Sequence, residues 1–498
     1  MRVFLLYPDS DFDPQASLPW QAEALEQDLG LPTVYDAMAN GDKYLRDVAR
    51  SVLLHPLDDP ALIRYRQAVM QDVLQHPEVV QALYRLPLEA QRRKREQWLG
   101  IFSRSPSGIL SSAVDLLSML VELLRALKTL ADQHAADFAS EGFRRFFAAV
   151  QRELDAAYFA EVEAHLAALK LRKGVLLSAE LGPGNEATHY TLRKPEASRK
   201  PILKQVFGRT PSCGFTIPPR DTHGSQALGA IRDRGLNEVA NAVAQAAEHI
   251  DRFLKQLQAE LAFYLSAANL AARLAAWNMP WAFPTPLPPD TGALEIRGLY
   301  DLGLALMQQQ RGVPNDLQAN GKGLVIITGA NRGGKTTFLR AVGLAYVLMQ
   351  AGLFVPAKAM RASVASGVFT HFKREEDTTM ESGKFDEELA RLSAIVEHLR
   401  PHSLLLCNES FSATNEREGA AIARQVMDML LAHGVRVFFV THFYAFAQAY
   451  RARAEEDVLF LRAERLPDGR RTFKLRPALP LSTSFAVDVY RRVFGSGA

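Results

Sequence analysis

The sequence predicts a multidomain protein in which a mainly α-helical region precedes a C-terminal α/β domain built around a P-loop. Apolar residues recur at helical spacing over long stretches before about residue 277. After that point, short apolar runs alternate with helical segments, which is typical of a mostly parallel sheet with intervening helices. One of these runs leads into a glycine-rich loop. A chain of 498 residues that is 48% hydrophobic can form more than one core.

A short insert interrupts the helical region. From about residue 107 to residue 170, apolar side chains recur at three- and four-residue spacing with almost no glycine or proline, which predicts long helices. Between residues 174 and 219, β-branched and turn residues replace this pattern and indicate short strands. Helical periodicity resumes at 225–277 and ends before a proline-rich boundary. The predicted domains are an N-terminal segment at 1–31, a helical domain with this insert at 32–285, and the α/β domain at 286–498.

Composition excludes several classes of protein. The net charge of +3 provides no global attraction to nucleic acid, so such binding would need local basic patches. The first apolar run is too short for a signal peptide, and we find no apolar stretch of membrane-spanning length. We therefore expect a cytoplasmic protein that does not contact a membrane. Cys213 and Cys407 lie far apart, and Cys407 lies in an apolar run, so no disulfide framework is predicted.

The glycine-rich loop has the pattern G-x-x-x-x-G-K-[ST] between a predicted strand and a predicted helix. We call residues 329–336 the glycine loop; with the next residue it comprises Gly329, Ala330, Asn331, Arg332, Gly333, Gly334, Lys335, Thr336 and Thr337. In such a loop, backbone N–H groups and the helix N-terminus bind phosphate oxygens. Lys335 would reach the β- and γ-phosphates, and Thr336 would offer its hydroxyl to Mg²⁺. The sequence therefore predicts an ATP and Mg²⁺ site.

A second apolar strand ends in Asn408-Glu409, where a P-loop ATPase usually has an aspartate for Mg²⁺ and a glutamate that orients water. The amide oxygen of Asn408 can still take part in metal binding, but it carries no charge, so we expect weaker metal retention or slower turnover. Glu409 keeps the capacity to act as a base. By itself this dipeptide would fit a solvated loop, and the upstream glycine loop favours the catalytic interpretation.

A third predicted strand, at residues 435–440, ends at Thr441-His442. In a parallel sheet the loops at the carboxyl ends of the strands converge on the ligand, which would bring Glu409 and His442 beside the phosphates held by Lys335. His442 is then a candidate sensor of the γ-phosphate. The alternative is a histidine that only ends a strand.

Together these segments resemble the MutS mismatch-repair ATPases. The similar segments are Val313-Pro314-Asn315-Asp316, residues 327–337, Gly352-Leu353-Phe354-Val355-Pro356-Ala357, Val368-Phe369-Thr370-His371, Asn408-Glu409 and Thr441-His442, with a weaker likeness to the family's helical lever at residues 61–67 and 72–74. The resemblance implies an ABC-type ATPase that works as a homodimer, with Asn315 among the nucleotide-binding residues. It also implies that each site is completed by a serine segment of the partner subunit.

The segment matching that serine signature is Glu381-Ser382-Gly383-Lys384-Phe385. The resemblance implies that Ser382 or Gly383 faces the γ-phosphate in the other subunit; a helix N-cap formed by Ser382 is the alternative. Phe473 lies in a segment similar to the family's closing strand, where it could stack on adenine or pack as a core aromatic.

The chain also departs from the family. Only about thirty residues precede the lever-like helices, where mismatch-repair members have a mismatch-reading domain, so we expect no direct mismatch reading. The insert is short for a DNA clamp, and the sequence ends soon after Thr483-Ser484-Phe485, which leaves dimer stability and DNA encirclement open. We expect ATP-dependent DNA binding. Two alternatives are a nucleotide-gated protein scaffold with negligible hydrolysis and a structural-maintenance type ATPase, which needs a longer coiled coil.

Two local basic clusters could contact DNA phosphates without reading bases. They are Arg92-Arg93-Lys94-Arg95 and, within the insert, Arg193, Lys194, Arg199, Lys200, Lys204 and Arg209. A solvated helix face or loop is the alternative interpretation of each cluster.

Overall fold

A computed structural model of the chain describes residues 1–98, 105–172, 174–194, 214–374, 383–453 and 456–481. The chain folds into two compact units. The helical unit contains Met1–Val3, Glu78–Phe138 and Arg144–Gln258; the sheet unit contains Phe4–Pro77, Ala139–Phe143 and Ala259–Ala498. This division groups residues 4–77 with the sheets. The domain boundaries near residues 31 and 285 remain predictions from the sequence.

Long helices make up most of the helical unit, as the apolar spacing predicts. The helices that contribute to it are α5 (Pro77–Trp98), α6 (Pro106–His134), α7 (Glu141–Glu153), α8 (Ala156–Leu169) and α9 (Thr222–Ala276). Ser105 caps α6, since its Oγ accepts the N–H of Gly108 at 3.2 Å. By length and composition alone, Pro106–Asp137 is long and apolar enough to cross a membrane; half of the qualifying window is buried within the protein, and buried core helices pass the same test.

The insert forms a hairpin in the helical unit. Strand β1 (Leu176–Leu181) pairs antiparallel with β2 (Ala187–Arg193). The turn residues that suggested strands here close the hairpin, with the N–H of Gly182 donating to the carbonyl of Glu186 at 2.8 Å. Leu177 of β1 packs on Gly235 of α9, where a Cβ would lie 2.5 Å from a leucine methyl group.

The main sheet of the sheet unit has six strands in the order β12-β11-β6-β10-β9-β8. All neighbours are parallel except β11 and β12. The strands are β6 (Leu324–Thr328), β8 (Val368–Phe372), β9 (Leu404–Asn408), β10 (Arg436–Val440), β11 (Val458–Arg465) and β12 (Arg471–Pro477). Val440 pairs with both Ile327 and Asn408, so the loops after β6, β9 and β10 leave the same edge of the sheet.

Four helices accompany this sheet: α11 (Lys335–Gln350), α12 (Lys384–His398), α13 (Glu416–Ala432) and α14 (Tyr444–Arg453). The apolar faces of α12, α13 and α14 bury Leu392, Met427 and Phe446 in one cluster with strand residues such as Phe439. Burial of these faces accounts for the alternation of strand and helix patterns in the sequence.

A second sheet of four short strands, in the order β3-β7-β4-β5, lies in the same unit. Its strands are β3 (Thr285–Leu287), β4 (Leu294–Leu299), β5 (Asn315–Gln318) and β7 (Ala359–Ser363), and α10 (Leu302–Gln308) connects two of them. No pattern in the sequence predicted this sheet. Strand β3 lies in the proline-rich segment that we interpreted from its sequence as a boundary. A strand can form there because β3 is at the edge of the sheet, where prolines are tolerated.

The N-terminal helices belong to the sheet unit and cover α11. They are α1 (Ala22–Leu29), α2 (Leu31–Ala39), α3 (Lys43–Leu54) and α4 (Pro60–Gln75). Leu29 of α1 lies against Gly343 of α11, where a Cβ would be 2.6 Å from the leucine side chain. Glycine is therefore needed in the middle of α11 so that α1 can pack closely on it.

The end of α11 packs on a fully buried arginine. After α11 the chain turns at Gly352, which has φ +83. A Cβ there would lie 2.4 Å from the Cβ of Arg66. Arg66 donates from Nε to the carbonyl of Leu6 at 3.0 Å, and its guanidinium lies 4.5 Å from the ring centroid of Tyr7. This junction ties α4 and the N-terminal segment to the end of α11.

We predict that Gly352→Ala destabilises the sheet unit by about 2–4 kcal/mol, because the new methyl group would combine an unfavourable positive φ with a clash against Arg66. Thermal unfolding followed by tryptophan fluorescence should show a lower midpoint. Gly321→Ala is the matched control: its φ is +67 and nothing lies within 4 Å, so only the backbone strain of about 1–2 kcal/mol is expected. Equal losses in the two variants would contradict the packing argument.

Candidate functional site

The glycine loop is shaped by its close approach to β11. Gly329 leaves β6 with φ +114, and a Cβ there would lie 2.9 Å from the backbone nitrogen of Ala463. At Gly333, a Cβ would lie 2.8 Å from the Cβ of Ala463. Gly334 has φ +91 and occupies the N-cap position of α11. The loop therefore has the backbone freedom and the helix N-terminus that phosphate binding requires.

Lys335, the first residue of α11, is buried and curls back into the glycine loop. Its Nζ donates to the carbonyl oxygens of Gly329 and Ala330 at 2.9 and 3.2 Å. Burial lowers the pKa of Lys335 to about 8, the carboxylate of Glu409 opposes this shift, and the Arg471 cation adds to it. The ammonium is thus held where phosphate oxygens would meet it.

Thr336 and Asn408 meet between α11 and the end of β9. The hydroxyl of Thr336 donates to Oδ1 of Asn408 at 3.0 Å. Among the described residues, no three His, Cys, Asp or Glu side chains form a metal-binding group. A hydroxyl and an amide oxygen suit the oxygen preference of Mg²⁺ but contribute no negative charge, so they fit a Mg²⁺ ion whose charge is balanced by the phosphates of a nucleotide.

Glu409 and His442 form a pair at the same edge of the sheet. Oε1 of Glu409 lies 2.7 Å from Nε2 of His442, and each side chain is 31% exposed. The hydrogen bond from His442 lowers the pKa of the Glu409 carboxyl, and the nearby charges of Lys335 and Lys373 act in the same direction. Glu409 is therefore an ionised carboxylate that water can reach.

A pocket of about 410 Å³ opens beside the glycine loop. Arg332, Gly334 and Thr337 line it from the loop and α11, and Asn315 and Phe473 line it from the second sheet and β12. Its volume lies in the range typical of small-ligand sites, about 300–1,000 Å³. A second cleft, of about 200 Å³, lies at the other ends of the strands and includes none of the predicted site residues.

Two of the predicted nucleotide-binding residues shape this pocket together. Asn315 accepts the N–H of Leu475 at 2.7 Å and donates to the carbonyl of Phe473 at 3.3 Å, so its side chain fixes β12. Phe473 has φ +60 and is 48% exposed at the pocket. The exposed ring lines the pocket and is not a core aromatic.

The remaining predicted residues differ in their exposure to solvent. Ala330 is buried, whereas Asn331 and Arg332 are exposed. Gly383 is exposed and occupies the N-cap position of α12, the position that the alternative interpretation gave to Ser382; Ser382 lies outside the described residues. Cys407 is buried as a free thiol, and Cys213 also lies outside the described residues.

Two positively charged side chains near the site could not be predicted from the sequence. Arg471 at the start of β12 lowers the pKa of Lys335, and Lys373 after β8 lowers that of Glu409. Neither residue belongs to a phosphate-binding pattern, and each comes close only because β8 and β12 lie in the same sheet as β6. Only the strand order reveals them.

The basic clusters have different surroundings in the helical unit. Arg92 and Arg93 both pair with Glu89, and Lys94 pairs with Asp251 at 3.0 Å. This pairing offsets the charge of the first cluster and favours a solvated helix face over a DNA contact. In the insert, Arg193 donates to Ser178 at 2.9 Å, and the members of that cluster from Arg199 onward lie outside the described residues.

Comparisons with known proteins match both parts of the chain. Residues 58–277 match the family model of the MutS2 N-terminal domain, and residues 325–476 match that of MutS domain V. The chain is 31% identical over 341 residues to an endonuclease MutS2 of Geobacillus thermodenitrificans, which is 62% of this chain and 42% of that protein. It is 30% identical over 241 residues to a DNA mismatch repair protein MutS of Desulforamulus reducens, covering 47% of this chain and 27% of that protein.

A third similar protein is the DNA mismatch repair protein MSH3 of Arabidopsis thaliana, which is 36% identical over 148 residues, 29% of this chain and 14% of that protein. The matched part of the chain spans less than half the length of each of these relatives. The two matched family models together include the glycine loop, Glu409, His442 and Phe473, together with most of the helices from α4 to α9.

If the glycine loop binds a nucleotide, the low pKa of Lys335 predicts that the affinity depends on pH. Phosphate binds the ammonium form, so binding raises this pKa above its value of about 8 in the free protein. The contribution of the Lys335 ammonium to the affinity is therefore fully present below pH 8 and is lost as the pH rises above that value. We expect the dissociation constant for ATP to increase about tenfold per pH unit above pH 8, measured by fluorescence titration with a labelled ATP. Lys335→Arg, charged at every tested pH, should show no such slope, and a slope that persists in this variant would assign the effect to another group.

Proposed function

Because the chain belongs to the MutS family, we propose that it is an ATPase of the MutS type that couples ATP binding and hydrolysis to a conformational change on DNA. The observation that carries this proposal is the meeting of three separate segments at one edge of the main sheet. The glycine loop with Lys335, the pair Asn408-Glu409 and His442 leave neighbouring parallel strands. A P-loop ATPase needs these groups together.

In this proposal ATP binds with its phosphates in the glycine loop and its base in the adjacent pocket. Lys335 exchanges its carbonyl partners for the β- and γ-phosphates, and the first N–H groups of α11 bind phosphate oxygens. Phe473 stacks on the base, and Asn315 holds Phe473 in place through the backbone of β12. The exposed Arg332 and the half-buried Thr337 line the pocket and would lie beside the sugar and phosphates.

Glu409 supplies the hydrolytic step. As an ionised carboxylate at the site it can orient a water molecule and accept its proton as that water attacks the γ-phosphate. His442 holds Glu409 by a 2.7 Å hydrogen bond and lies where it would also sense the γ-phosphate. The pair therefore links hydrolysis to the presence of the triphosphate.

Mg²⁺ would be held by Thr336 and Asn408 together with the nucleotide. When bound, it supplies charge neutralisation on the β- and γ-phosphates. Since Asn408 is neutral, we expect the ion to be retained less tightly and turnover to be slow. The Thr336–Asn408 hydrogen bond keeps both oxygens together at the metal position.

The proposed assembly is a homodimer with composite sites. Gly383, exposed at the start of α12, would face the γ-phosphate of the partner subunit, as in the ABC-type arrangement implied by the family. Closure of two ATPase domains would move the helical arms and so change the grip on DNA phosphates. We propose that this action takes place in the cytoplasm.

A second candidate function is a nucleotide-gated scaffold for another protein. The observation that favours it is Asn408, since loss of the metal-binding charge weakens catalysis more than it weakens triphosphate binding by the loop. Such a scaffold would bind ATP tightly without turnover, and DNA would not affect it.

Two substitutions test the proposed site. Lys335→Ala should weaken ATP binding by about 10- to 100-fold, because it removes a charge-assisted contact to phosphate. Glu409→Gln should keep binding but lower turnover by about 100-fold or more, because the water loses its base. Binding is measured by titration and turnover by phosphate release, with and without plain, branched and mismatched duplex DNA. Lys322→Ala, at the opposite ends of the strands, is the matched control.

Unchanged binding and turnover in both variants would remove the ATPase proposal. Stimulation by plain or branched DNA supports the coupling, and stimulation restricted to mismatched DNA would show that mismatches are read. Tight ATP binding with no turnover in the wild type, indifferent to every DNA, would favour the scaffold.

The role of Asn408 gives a separate prediction. Asn408→Asp restores a negative charge beside Thr336, so turnover should rise about three- to tenfold and the Mg²⁺ concentration for half-maximal rate should fall. Phosphate release measured across a magnesium titration tests both expectations. Asn408→Ala, which removes the oxygen as well, should shift the magnesium requirement in the opposite direction. A lower rate in Asn408→Asp would show that the amide is required.

A further inference from the structure

The loop that carries Glu409 has a backbone conformation that needs outside support. Glu409 has φ +56 and Phe411 has φ +66, both in the left-handed region that residues with a Cβ disfavour. Phe411 is fully buried, with its ring centroid 6.4 Å from those of His371 and Phe439. Such a conformation persists only where surrounding groups hold it.

Glu388 of α12 is the main support. Its Oε1 accepts the N–H of Phe411 at 2.6 Å. The residue is 5% exposed, so the carboxylate is directed into the protein and not toward a ligand. A buried acceptor thus fixes the backbone two residues after Glu409.

His371 of β8 connects the same helix to the same loop. Its Nε2 lies 3.1 Å from the carbonyl oxygen of Glu388, and its Nδ1 lies 2.7 Å from Oγ of Ser410. Burial lowers the pKa of His371 to about 4, so the ring is neutral near pH 7. A carbonyl can only accept, which places the ring proton on Nε2 and leaves Nδ1 as an acceptor; the Ser410 hydroxyl lies within hydrogen-bond distance of both Nδ1 and the His371 carbonyl oxygen, at 2.7 and 2.9 Å. We call Glu388, His371 and Ser410 the Glu388 network.

The network acts on Glu409 through the backbone that follows it, whereas His442 hydrogen-bonds the Glu409 side chain directly. Ser410 and Phe411, the two residues that follow Glu409, are held through side chain and backbone respectively. Glu388, His371 and Ser410 are all buried, and none of them lines the pocket beside the glycine loop. Their influence on nucleotide chemistry therefore passes through the position of Glu409.

We propose that the Glu388 network positions Glu409 for ATP hydrolysis, with Glu388 as its central residue. This inference rests on the proposed function. Glu388 stands one turn inside the helix that begins at Gly383, so the helix expected to start at the partner's nucleotide is also the helix that fixes the hydrolytic carboxylate. Glu388 and His371 are positioning residues, because they reach the reacting atoms only through Glu409.

The test compares Glu388→Ala with Glu388→Gln in the full chain. Glu388→Ala should lower kcat for ATP about 10- to 100-fold, as expected for a displaced catalytic group, while KM and the ATP dissociation constant change less than about twofold. Glu388→Gln should restore most of the rate, because its amide oxygen can accept the same N–H of Phe411. Glu397→Ala, exposed on the same helix, is the matched control and should leave kcat unchanged.

A double variant separates positioning from general damage. If Glu388 acts through Glu409, adding Glu388→Ala to Glu409→Gln should not lower the single-turnover rate further. An equal further loss in the double variant would overturn the proposal, as would an unchanged kcat in a folded Glu388→Ala protein.

Ser410→Ala covers the case in which Glu388→Ala does not fold. It removes only the hydroxyl between His371 and the loop, and it should lower kcat about three- to tenfold with KM retained. An unchanged kcat in this variant overturns the proposal. If Glu409→Gln itself leaves turnover unchanged, the proposed ATPase function fails and not merely the positioning role.

Discussion

The close contact between the glycine loop and β11 is the constraint on which the candidate site depends. Ala463 leaves no room for a side chain at Gly329 or Gly333, and Phe473 of β12 lies directly against Gly334. Packing thus requires glycine at Gly329 and Gly333, and the positive φ of +91 favours it at Gly334. The same contact places Phe473 at the pocket wall and Lys335 at the start of α11.

Helix α11 is the element through which the other parts of the sheet unit meet. Its first turn carries Lys335 and Thr336, its middle receives Leu29 and Leu406 at Gly343, and its end turns at Gly352 against Arg66. Being buried along nearly its whole length, α11 cannot shift without moving the N-terminal helices or the sheet. A change at the glycine loop would therefore be transmitted to α1 and α4.

Two adjacent residues at this edge of the main sheet differ in charge. Asn408 is neutral and hydrogen-bonded to Thr336, whereas Glu409 is ionised, paired with His442 and carried on a loop held by buried groups. In the proposed function, triphosphate binding depends on the loop and Lys335, and hydrolysis depends on the placement of Glu409. This division is the reason why one structure supports both a slow ATPase and a nucleotide-gated scaffold as functions to be tested.

The sequence by itself determined the features that local patterns encode, namely the glycine loop, the buried strands β6, β9 and β10, and the helices between them. These features are predictable because the spacing of apolar residues and the residue types of turns are local properties of the chain. Tertiary structure alone decided the four-stranded sheet, whose short strands carry little periodicity. It also grouped residues 4–77 with the sheets, offset the charge of Arg92 and Arg93, and brought Glu388 to the N–H of Phe411. Such contacts join residues far apart in the chain, where spacing carries no signal.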